Sequence, residues 1–208
     1  YGNVRGGVMV GNPLTTFTGQ DYARNSAGDI LIDPSTGYAV RNLNFTIIGD
    51  RNPDFVVGLQ NTFTYKDLSL SFLLDVRKGG DIYNATEMFL YQNGISTKTL
   101  DRNETRVLKG VLRDGLENSP NPTQNNIPVR PSVQNEYYRG VIESDFIEKD
   151  INWLRMRDIT LSYRMPSDIL KKTFVNSLSL NLTMTDVFMI TNYTGADPAV
   201  NGLNASTG

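Results

Sequence analysis

The side chains that could do chemistry in this sequence are mainly carboxylates, basic groups and aromatic rings. The 208 residues contain no histidine and no cysteine. A Ser-His-Asp triad, a thiol nucleophile, an HExxH zinc site and a disulfide framework are therefore excluded. A hydrolase that uses a pair of carboxylates would still be compatible with this composition. No local pattern supports such a pair, and we predict that the chain is not an enzyme.

Four charged residues stand inside stretches in which apolar and polar residues alternate. They are Asp75, Arg77, Asp158 and Arg164. Each occupies a polar position of its stretch, so all four should share a polar surface. Such charges could pair with one another and with other parts of the protein. They could also line the path of a substrate.

Aromatic residues in the irregular segments are the second group of candidates, led by Tyr83 and Trp153. Their rings could stack on the rings of sugars, or they could pack the loops together. The wider set is Tyr83, Tyr91, Tyr137, Tyr138 and Trp153.

Carboxylates in the same segments allow a calcium site. Asp101, Asp145 and Asp197 could supply oxygen ligands, which hard cations prefer. Their spacing does not match an EF-hand loop. No other cofactor is expected.

Two hairpins must position the four charges. Residues 55–77 read FVVGLQNTFTYKDLSLSFLLDVR, and apolar residues alternate with polar ones on both sides of Lys66-Asp67. A second alternating run covers 158–165 and resumes at 178–184. Successive strand residues point to opposite faces, so each hairpin has one apolar and one polar face. The arms of the first hairpin have about ten or eleven residues, the length of a tilted strand that crosses a bilayer.

Longer irregular segments surround the hairpins. We predict an extracellular loop with a small hairpin at 1–52, a transmembrane hairpin at 53–78 and a long extracellular loop at 79–152. A second transmembrane hairpin at 153–189 and a further extracellular loop at 190–208 follow. Within the loops, DPSTG at 33–37 predicts a hairpin turn, and Asp81 is predicted to cap a helix from Ile82 to Gln92.

Alternation alone is equally typical of a water-soluble β-sandwich. The net charge of −2 and pI near 5.2 argue against a nucleic-acid partner, because there is no basic excess to neutralise phosphates. The absence of any long apolar run argues against a transmembrane helix. Short connections inside the hairpins and long ones outside them are typical of outer-membrane barrels. The runner-up is a soluble or cell-surface β-sheet module that binds carbohydrate or protein.

Four sequence blocks, taken in order, resemble SusC/RagA-type TonB-linked transporters. These blocks are IGDRNPDF (48–55), GGDIYNAT (79–86), WLRMRDITLSY (153–163) followed by Met165-Pro166, and LSLNLTMTDVF (178–188) followed by TGADP (194–198). The match covers about 48–200, whereas residues 1–47 fit loosely. Asp186-Val187 depart from the Asn-Leu pair that is usual in the family, and Ala199 stands where an acidic residue is common.

The resemblance implies an all-β fold, a segment of a twenty-two-stranded outer-membrane barrel from Bacteroidetes. It also implies import of oligosaccharides or peptides with a SusD-like surface lipoprotein and energy from the TonB complex. The plug domain, the TonB box, earlier strands and a final aromatic strand have no counterpart in the 208 residues. We therefore expect the chain to be a C-terminal portion of such a transporter, located in the bacterial outer membrane.

In the barrel interpretation, each alternating residue has an assigned face. The residues predicted to face lipid are Phe55, Val57, Leu59, Phe63, Leu68, Leu70, Phe72, Leu74, Ile159, Leu161, Leu178, Leu180 and Leu182. Those predicted to face the lumen are Gln60, Thr62, Thr64, Ser69, Ser71, Asp75, Arg77, Asp158, Thr160, Ser162, Arg164, Asn181 and Thr183. Arg155, Arg157 and Asp186 have the parity of the lipid face, so we expect the arginines beyond the outer boundary and Asp186 there or beside a β-bulge.

Overall fold

The computed structural model describes residues 4–6, 9–133, 136–171 and 174–199. The chain divides into two compact units. The strand unit comprises Asn52–Gly80 and Asp150–Thr194. The loop unit comprises Tyr1–Arg51, Asp81–Lys149 and Gly195–Gly208.

Strands dominate the regular structure of the described residues. In chain order they are β1 (Arg5–Gly6), β2 (Thr16–Gly19), β3 (Leu31–Ile32), β4 (Thr46–Asp50), β5 (Phe55–Tyr65), β6 (Leu68–Lys78), β7 (Ile82–Tyr83), β8 (Arg106–Val107), β9 (Val111–Leu112), β10 (Pro128–Val129), β11 (Ile147–Glu148), β12 (Trp153–Arg164) and β13 (Ser179–Thr191). The helices are α1 (Ala85–Gln92), α2 (Glu136–Arg139) and α3 (Ser167–Leu170), with 3-10 turns at Thr97–Thr99 and Glu143–Phe146. None of the helices in the described residues has the length and apolar character needed to cross a membrane.

The strand unit is one antiparallel sheet with the order β13-β12-β6-β5. Tyr65 pairs with Leu68, so Lys66 and Asp67 alone form the first turn, as predicted. Lys66 adopts a φ of 53°, the positive φ that the first central residue of a two-residue hairpin turn usually has. The second hairpin is also confirmed, with Arg164 opposite Ser179. Its second strand extends to Thr191.

The pairing register sorts the side chains of this sheet onto two faces. Leu70 lies between Phe63 and Leu161, whereas the neighbouring Ser71 lies between Thr62 and Thr160. The apolar face is open, with Phe63 60%, Leu182 71% and Ile190 64% exposed. The predicted division into an apolar and a polar face is therefore confirmed over most of the sheet. The exceptions include Asn61 on the apolar face, opposite Phe72, and Val56 and Leu73 on the polar face, opposite Arg77 and Gln60 respectively.

A β-bulge at Arg157 reverses the alternation of β12. Met156 pairs with Leu74 and Asp158 with Leu73, so Arg157 is an extra residue on its strand. Arg155 consequently pairs with Asp75 and shares the polar face, so the lipid-face parity inferred for Arg155 is wrong. The reason is that one inserted residue shifts the two-residue period of a strand by half. The expected place of Arg155 and Arg157 beyond the outer boundary stays a prediction. The alternative predicted for Asp186, a place beside a bulge, is confirmed.

The loop unit contains small sheets and short helices. Its sheets are β1-β2-β4, β10-β8, β11-β7 and the parallel pair β3-β9. Buried aliphatic side chains hold these pieces together, with Ile32, Val111, Val129 and Ile142 almost completely inaccessible. Many short elements around scattered buried residues indicate a subdomain built from irregular backbone.

The predicted small hairpin is present in the loop unit. The backbone N–H of Asp33 donates to the carbonyl of Tyr38 over 2.8 Å, and Ile32 bridges to Ala39 in antiparallel fashion. Gly37 closes the turn with a φ of 75°. A Cβ at Gly37 would also lie 2.9 Å from a methyl carbon of Ile127, so two effects favour glycine there.

The predicted helix starts later than expected. Asn84, not Asp81, caps α1, and its side chain accepts a hydrogen bond from the Glu87 backbone N–H over 2.9 Å. Ile82 and Tyr83 form β7, which pairs with β11. The Asp81 carboxylate instead accepts from the Asp50 backbone N–H over 3.1 Å. Tertiary pairing of a β-branched residue thus overrode the local capping signal.

Candidate functional site

Asp75 forms an ion pair with the bulge residue. Arg157 donates from Nε and Nη2 to Oδ2 of Asp75, over 3.1 and 2.8 Å. Asp75 is only 8% exposed, so the guanidinium, rather than water, supplies the hydrogen bonds to its carboxylate. The pairing role predicted for Asp75 is therefore observed.

Arg77 lies over the indole ring of Trp153. Its guanidinium carbon is 4.8 Å from the ring centroid, and its Nε donates to the carbonyl of Gly79 over 3.2 Å. The two residues face each other across β6 and β12. A cation over an aromatic face is a stabilising arrangement. Trp153 is 9% exposed, which leaves little of its ring surface for a ligand.

Asp158 and Arg164 are on the same polar face but further along β12. Asp158 lies between Leu73 and Thr185 in the sheet. Arg164 is exposed at the far end of the strand, where its backbone N–H donates to the carbonyl of Asp67 over 2.8 Å. Arg155 lies opposite Asp75 in the sheet, nine residues before Arg164. At about 3.3 Å per strand residue, Arg164 is therefore roughly 30 Å from the region of Asp75. The four predicted charges therefore share a face without forming one site.

Tyr83 belongs to the loop unit and lies apart from these charges. It pairs with Ile147 in the β11-β7 sheet, and its hydroxyl lies 2.9 Å from the sulfur of Met88. The ring is half-buried. Stacking of a ligand on Tyr83 stays a prediction.

A separate cavity of about 1050 Å³ lies within the loop unit. Tyrosines and basic side chains dominate its polar lining. The residues that concern its chemistry are Tyr22, Tyr38, Tyr91, Tyr137, Asp33, Asp145, Arg41, Lys98, Arg113 and Arg139. Tyr91 and Tyr137 were among the aromatic residues singled out from the sequence, whereas Tyr22, Tyr38 and the four cations were not.

The tyrosines at the cavity hold one another by edge-to-face contacts. The ring of Tyr138 lies 5.2 Å from both Tyr91 and Tyr137, and Tyr38 lies 6.2 Å from Tyr137. Arg106 covers Tyr137 at 5.6 Å. Such pairs are favourable because the positive edge of one ring meets the negative face of another. The aromatic part of the wall is therefore preorganised.

Asp145 and Tyr22 form a short hydrogen bond at the cavity. The Tyr22 hydroxyl donates to Oδ2 of Asp145 over 2.6 Å. Burial, then the nearby Asp145 charge, raises the pKa of Tyr22 far above its ordinary value. Burial also raises the pKa of Asp145. Desolvation disfavours the charged form of each group, so Tyr22 remains a neutral donor.

Hydrogen bonds from Ser35 keep the other carboxylate of the cavity charged. The side chain and backbone of Ser35 donate to Oδ1 of Asp33 over 2.6 and 2.8 Å. These bonds lower the pKa of Asp33. Asp33 and Asp145 thus differ in environment.

The three carboxylates considered for calcium have other partners. Asp101 pairs with Arg106 over 2.8 Å, Asp145 binds Tyr22, and Asp197 accepts from the Ala199 backbone N–H over 2.8 Å. Within 4–6, 9–133, 136–171 and 174–199, no three acidic side chains cluster as metal ligands would. A calcium site in the loops stays a prediction.

The cavity was hidden from sequence analysis because its walls come from distant parts of the chain. Tyr22 and Asp145, which share a hydrogen bond, are 123 positions apart. Tyr38 follows a recognisable turn, yet nothing in the local sequence shows that it meets Tyr137. Only the neighbouring tyrosines Tyr137-Tyr138 offered a local signal.

Comparison with known proteins gives a consistent family. No protein-family model matches the chain. TonB-dependent receptor P3 of Formosa agariphila is 27% identical over 178 residues, which is 85% of this chain and 16% of the receptor. TonB-dependent receptor P39 of the same organism is 31% identical over 176 residues, or 82% of this chain and 16% of that receptor. The chain thus spans about a sixth of the length of these relatives.

Solved structures show the same fold. The match to the structure of the RagAB peptide importer in its 'closed-closed' state covers 94% of this chain and 22% of the matched RagAB chain. The TM-score is 0.52, and the sequence identity is 17%. Its 'open-open' state gives the same coverage with a TM-score of 0.53 and 18% identity. The expected all-β barrel-segment architecture is confirmed by these matches. Because the relatives are receptors, the prediction that the chain is not an enzyme is also confirmed. The ordered sequence blocks, the similarity to the Formosa receptors and the shared strand architecture place this chain in the SusC/RagA family of TonB-dependent receptors.

Proposed function

We propose that the strand unit is part of the barrel wall of a TonB-dependent importer in the bacterial outer membrane. The observation that carries this proposal is the continuous apolar face of β5, β6, β12 and β13, which is exposed on β5 and β13 and partly exposed on β6 and β12. A water-soluble sheet buries its apolar face against another layer. In a membrane barrel that face meets lipid instead.

Strand length agrees with this role. β5 and β6 have 11 residues each, β12 has 12 and β13 has 13. At about 3.3 Å per residue and a tilt of about 45°, an eleven-residue strand rises roughly 25 Å. That rise equals the height of the apolar band of outer-membrane barrels.

The charges of the strand unit also fit a barrel wall. Asp75 and Arg77 lie on the polar face, and Arg155 and Asp158 share it. A lipid-facing arginine at the midplane costs roughly 2–4 kcal/mol, whereas the lumen tolerates charge. The polar face is therefore assigned to the lumen.

Four strands cannot close a barrel. In the described residues, β5 and β13 each pair with a strand on one side only. An open edge in lipid leaves backbone groups without hydrogen bonds. Strands outside these 208 residues therefore complete the wall in the proposed assembly.

The whole transporter, in this proposal, takes up oligosaccharides or peptides together with a SusD-like lipoprotein, and the TonB complex supplies energy. The chain contributes wall strands and the loop unit, which is placed outside the cell. The family membership supports these assignments, and the similarity to the RagAB peptide importer is compatible with a peptide as well as with a sugar.

Paired arginine substitutions test the wall assignment. In the full-length receptor, Leu70→Arg should prevent accumulation of heat-modifiable receptor in the outer membrane, because it places a charge in lipid. Ser71→Arg, the matched control one residue away, should assemble nearly normally. Equal loss in both variants would contradict the face assignment. A parent protein that enters the aqueous phase without detergent would contradict the barrel itself.

A further inference from the structure

We propose that the cavity of the loop unit binds an acidic oligosaccharide, one that carries carboxylate or sulfate groups on its sugar rings. This inference rests on the proposed function as an importer and names a substrate class for it. The cavity lies wholly within the loop unit, so its binding can be measured separately from transport.

Charge is the first argument. Four cationic side chains and two carboxylates line the cavity, which leaves a surplus of two positive charges. The whole chain has a net charge of −2, so the local surplus runs against the overall sign. Concave sites of one sign attract ligands of the opposite sign.

The arginines are available for an anion. Arg41, Arg113 and Arg139 form no ion pair with a carboxylate in the part of the chain that the structure describes. The charge of Arg113 acts through space on Asp33, where it helps to lower the pKa of the carboxyl group. A guanidinium binds carboxylate or sulfate through two parallel N–H donors. These three side chains could therefore contact acidic groups on successive sugars.

The tyrosines supply the second requirement of a sugar site. Tyr22, Tyr38, Tyr91 and Tyr137 present flat rings with polar edges to one cavity. Such rings combine an apolar body, which suits the carbon face of a pyranose, with a hydroxyl for hydrogen bonding. Rings held by edge-to-face contacts lose little freedom when a ligand binds.

Size and lining favour an oligosaccharide over a single ion or an apolar peptide. The volume of about 1050 Å³ lies at the upper end of the roughly 300–1,000 Å³ usual for small-molecule sites. A single sulfate or uronic acid would leave most of it empty. Polar and charged side chains of the lining outnumber the aliphatic ones, which include Val40, Leu108 and Val141. A peptide with large apolar side chains would find few apolar contacts.

The test is equilibrium binding to the full-length receptor in detergent. The probes are tetragalacturonate, its methyl ester as the uncharged counterpart, a sulfated carrageenan tetrasaccharide and tetraglutamate. We expect one or both acidic saccharides to bind, with affinity that falls as salt rises, and the methyl ester to bind at least about tenfold more weakly. Selectivity between the two acidic saccharides identifies carboxylate or sulfate as the recognised group.

Substitutions locate the binding to the cavity. Arg113→Gln and Arg139→Gln should each weaken binding of the acidic saccharide by about tenfold. Arg24→Gln is the matched control, because Arg24 is an exposed arginine of the same unit that does not line the cavity. All three side chains are on the surface, so folding should be preserved in each variant.

Three results would overturn the proposal. They are no binding of either acidic saccharide, undiminished binding in both cavity variants, and binding of tetraglutamate alone, which would indicate a site for acidic peptides. Uptake by cells is a separate readout. A receptor that binds the acidic saccharide without TonB-dependent uptake would contradict the importer function and leave the cavity assignment standing. A receptor that imports another substrate but binds no acidic saccharide would contradict the cavity assignment and leave the importer function standing.

Discussion

The guanidinium of Arg157 holds the buried carboxylate of Asp75 through two hydrogen bonds, and it does so from the bulge of the neighbouring strand. Without the bulge, Arg157 would have the parity of the apolar residue Ile159 and would lie on the apolar face. The extra residue lets β12 carry charge on the polar face near its N-terminal end and apolar residues on the other face further along. The bulge thus allows the two halves of β12, whose apolar residues have opposite sequence parity, to place those residues on the same face of the sheet.

Arg157→Gln should destabilise the strand unit. It leaves Asp75, 8% exposed, without its charged partner, which costs roughly 1–3 kcal/mol. The measurement is the urea concentration at which the purified full-length receptor loses its folded electrophoretic mobility. Arg164→Gln, an exposed arginine of the same strand, should leave that midpoint unchanged. Equal midpoints for the two variants would mean that the ion pair contributes nothing to stability.

Deletion of Arg157 should harm assembly far less than deletion of a paired residue of the same strand. Without Arg157, Met156 and Asp158 become neighbours that already lie on opposite faces, so both halves of β12 keep their side-chain directions. Deletion of Thr160, which pairs with Ser71, moves every residue on one side of the gap to the other face. The amount of folded receptor in the outer membrane should be close to that of Arg157→Gln in the first variant and near zero in the second. Equal loss in both variants would contradict the assignment of Arg157 as the extra residue.

Asp186 combines a left-handed backbone with an ion pair, and substitutions can separate the two effects. Its φ is 50°, and its Oδ1 accepts from Nη2 of Arg155 over 2.7 Å. Asp186→Asn should lose only the charge of the ion pair, because asparagine also tolerates a positive φ, whereas Asp186→Val should also add about 1–2 kcal/mol of backbone strain. The difference between their urea midpoints measures the strain. Identical midpoints would indicate that the bulge relaxes without cost.

Binding in the cavity should strengthen as the pH falls. The pKa of Asp145 is raised by burial and by the nearby Asp21 charge, so this carboxylate becomes neutral at a higher pH than an ordinary aspartate. Its protonation removes a negative charge that opposes an acidic ligand. We expect roughly threefold tighter binding of the sulfated tetrasaccharide below the raised pKa than above it. A sulfated probe is used because its own charge does not change over this range.

Asp145→Asn provides the control for this pH effect. Asparagine is neutral at every pH, and its side-chain oxygen can still accept the hydrogen bond from Tyr22. The variant should bind the probe tightly without a pH dependence. Tyr22 keeps its proton throughout, since its pKa is raised. A pH dependence that persists in Asp145→Asn would assign the titration to another group.

The sequence by itself determined the elements that depend only on residues close together in the chain, namely the alternating strands and the tight turns. Alternation in FVVGLQNTFTY and LSLSFLLDVRK specified β5 and β6 with their faces and the turn at Lys66-Asp67. The turn DPSTG likewise specified the small hairpin that Gly37 closes. In each case the residues that decide the structure are neighbours in the chain, so their pattern is legible without the rest of the fold.

Only the tertiary structure decided the features that depend on distant partners. The out-of-phase charge of Asp186 indicated a bulge, but its place at Arg157 emerges only from the pairing of β12 with β6 and β13. The cavity joins Tyr22 and Tyr38 to Tyr137 and Asp145 across about a hundred residues. Alternation specifies which side chains share a face of one strand. It does not specify the register between strands, nor which loop residues come into contact.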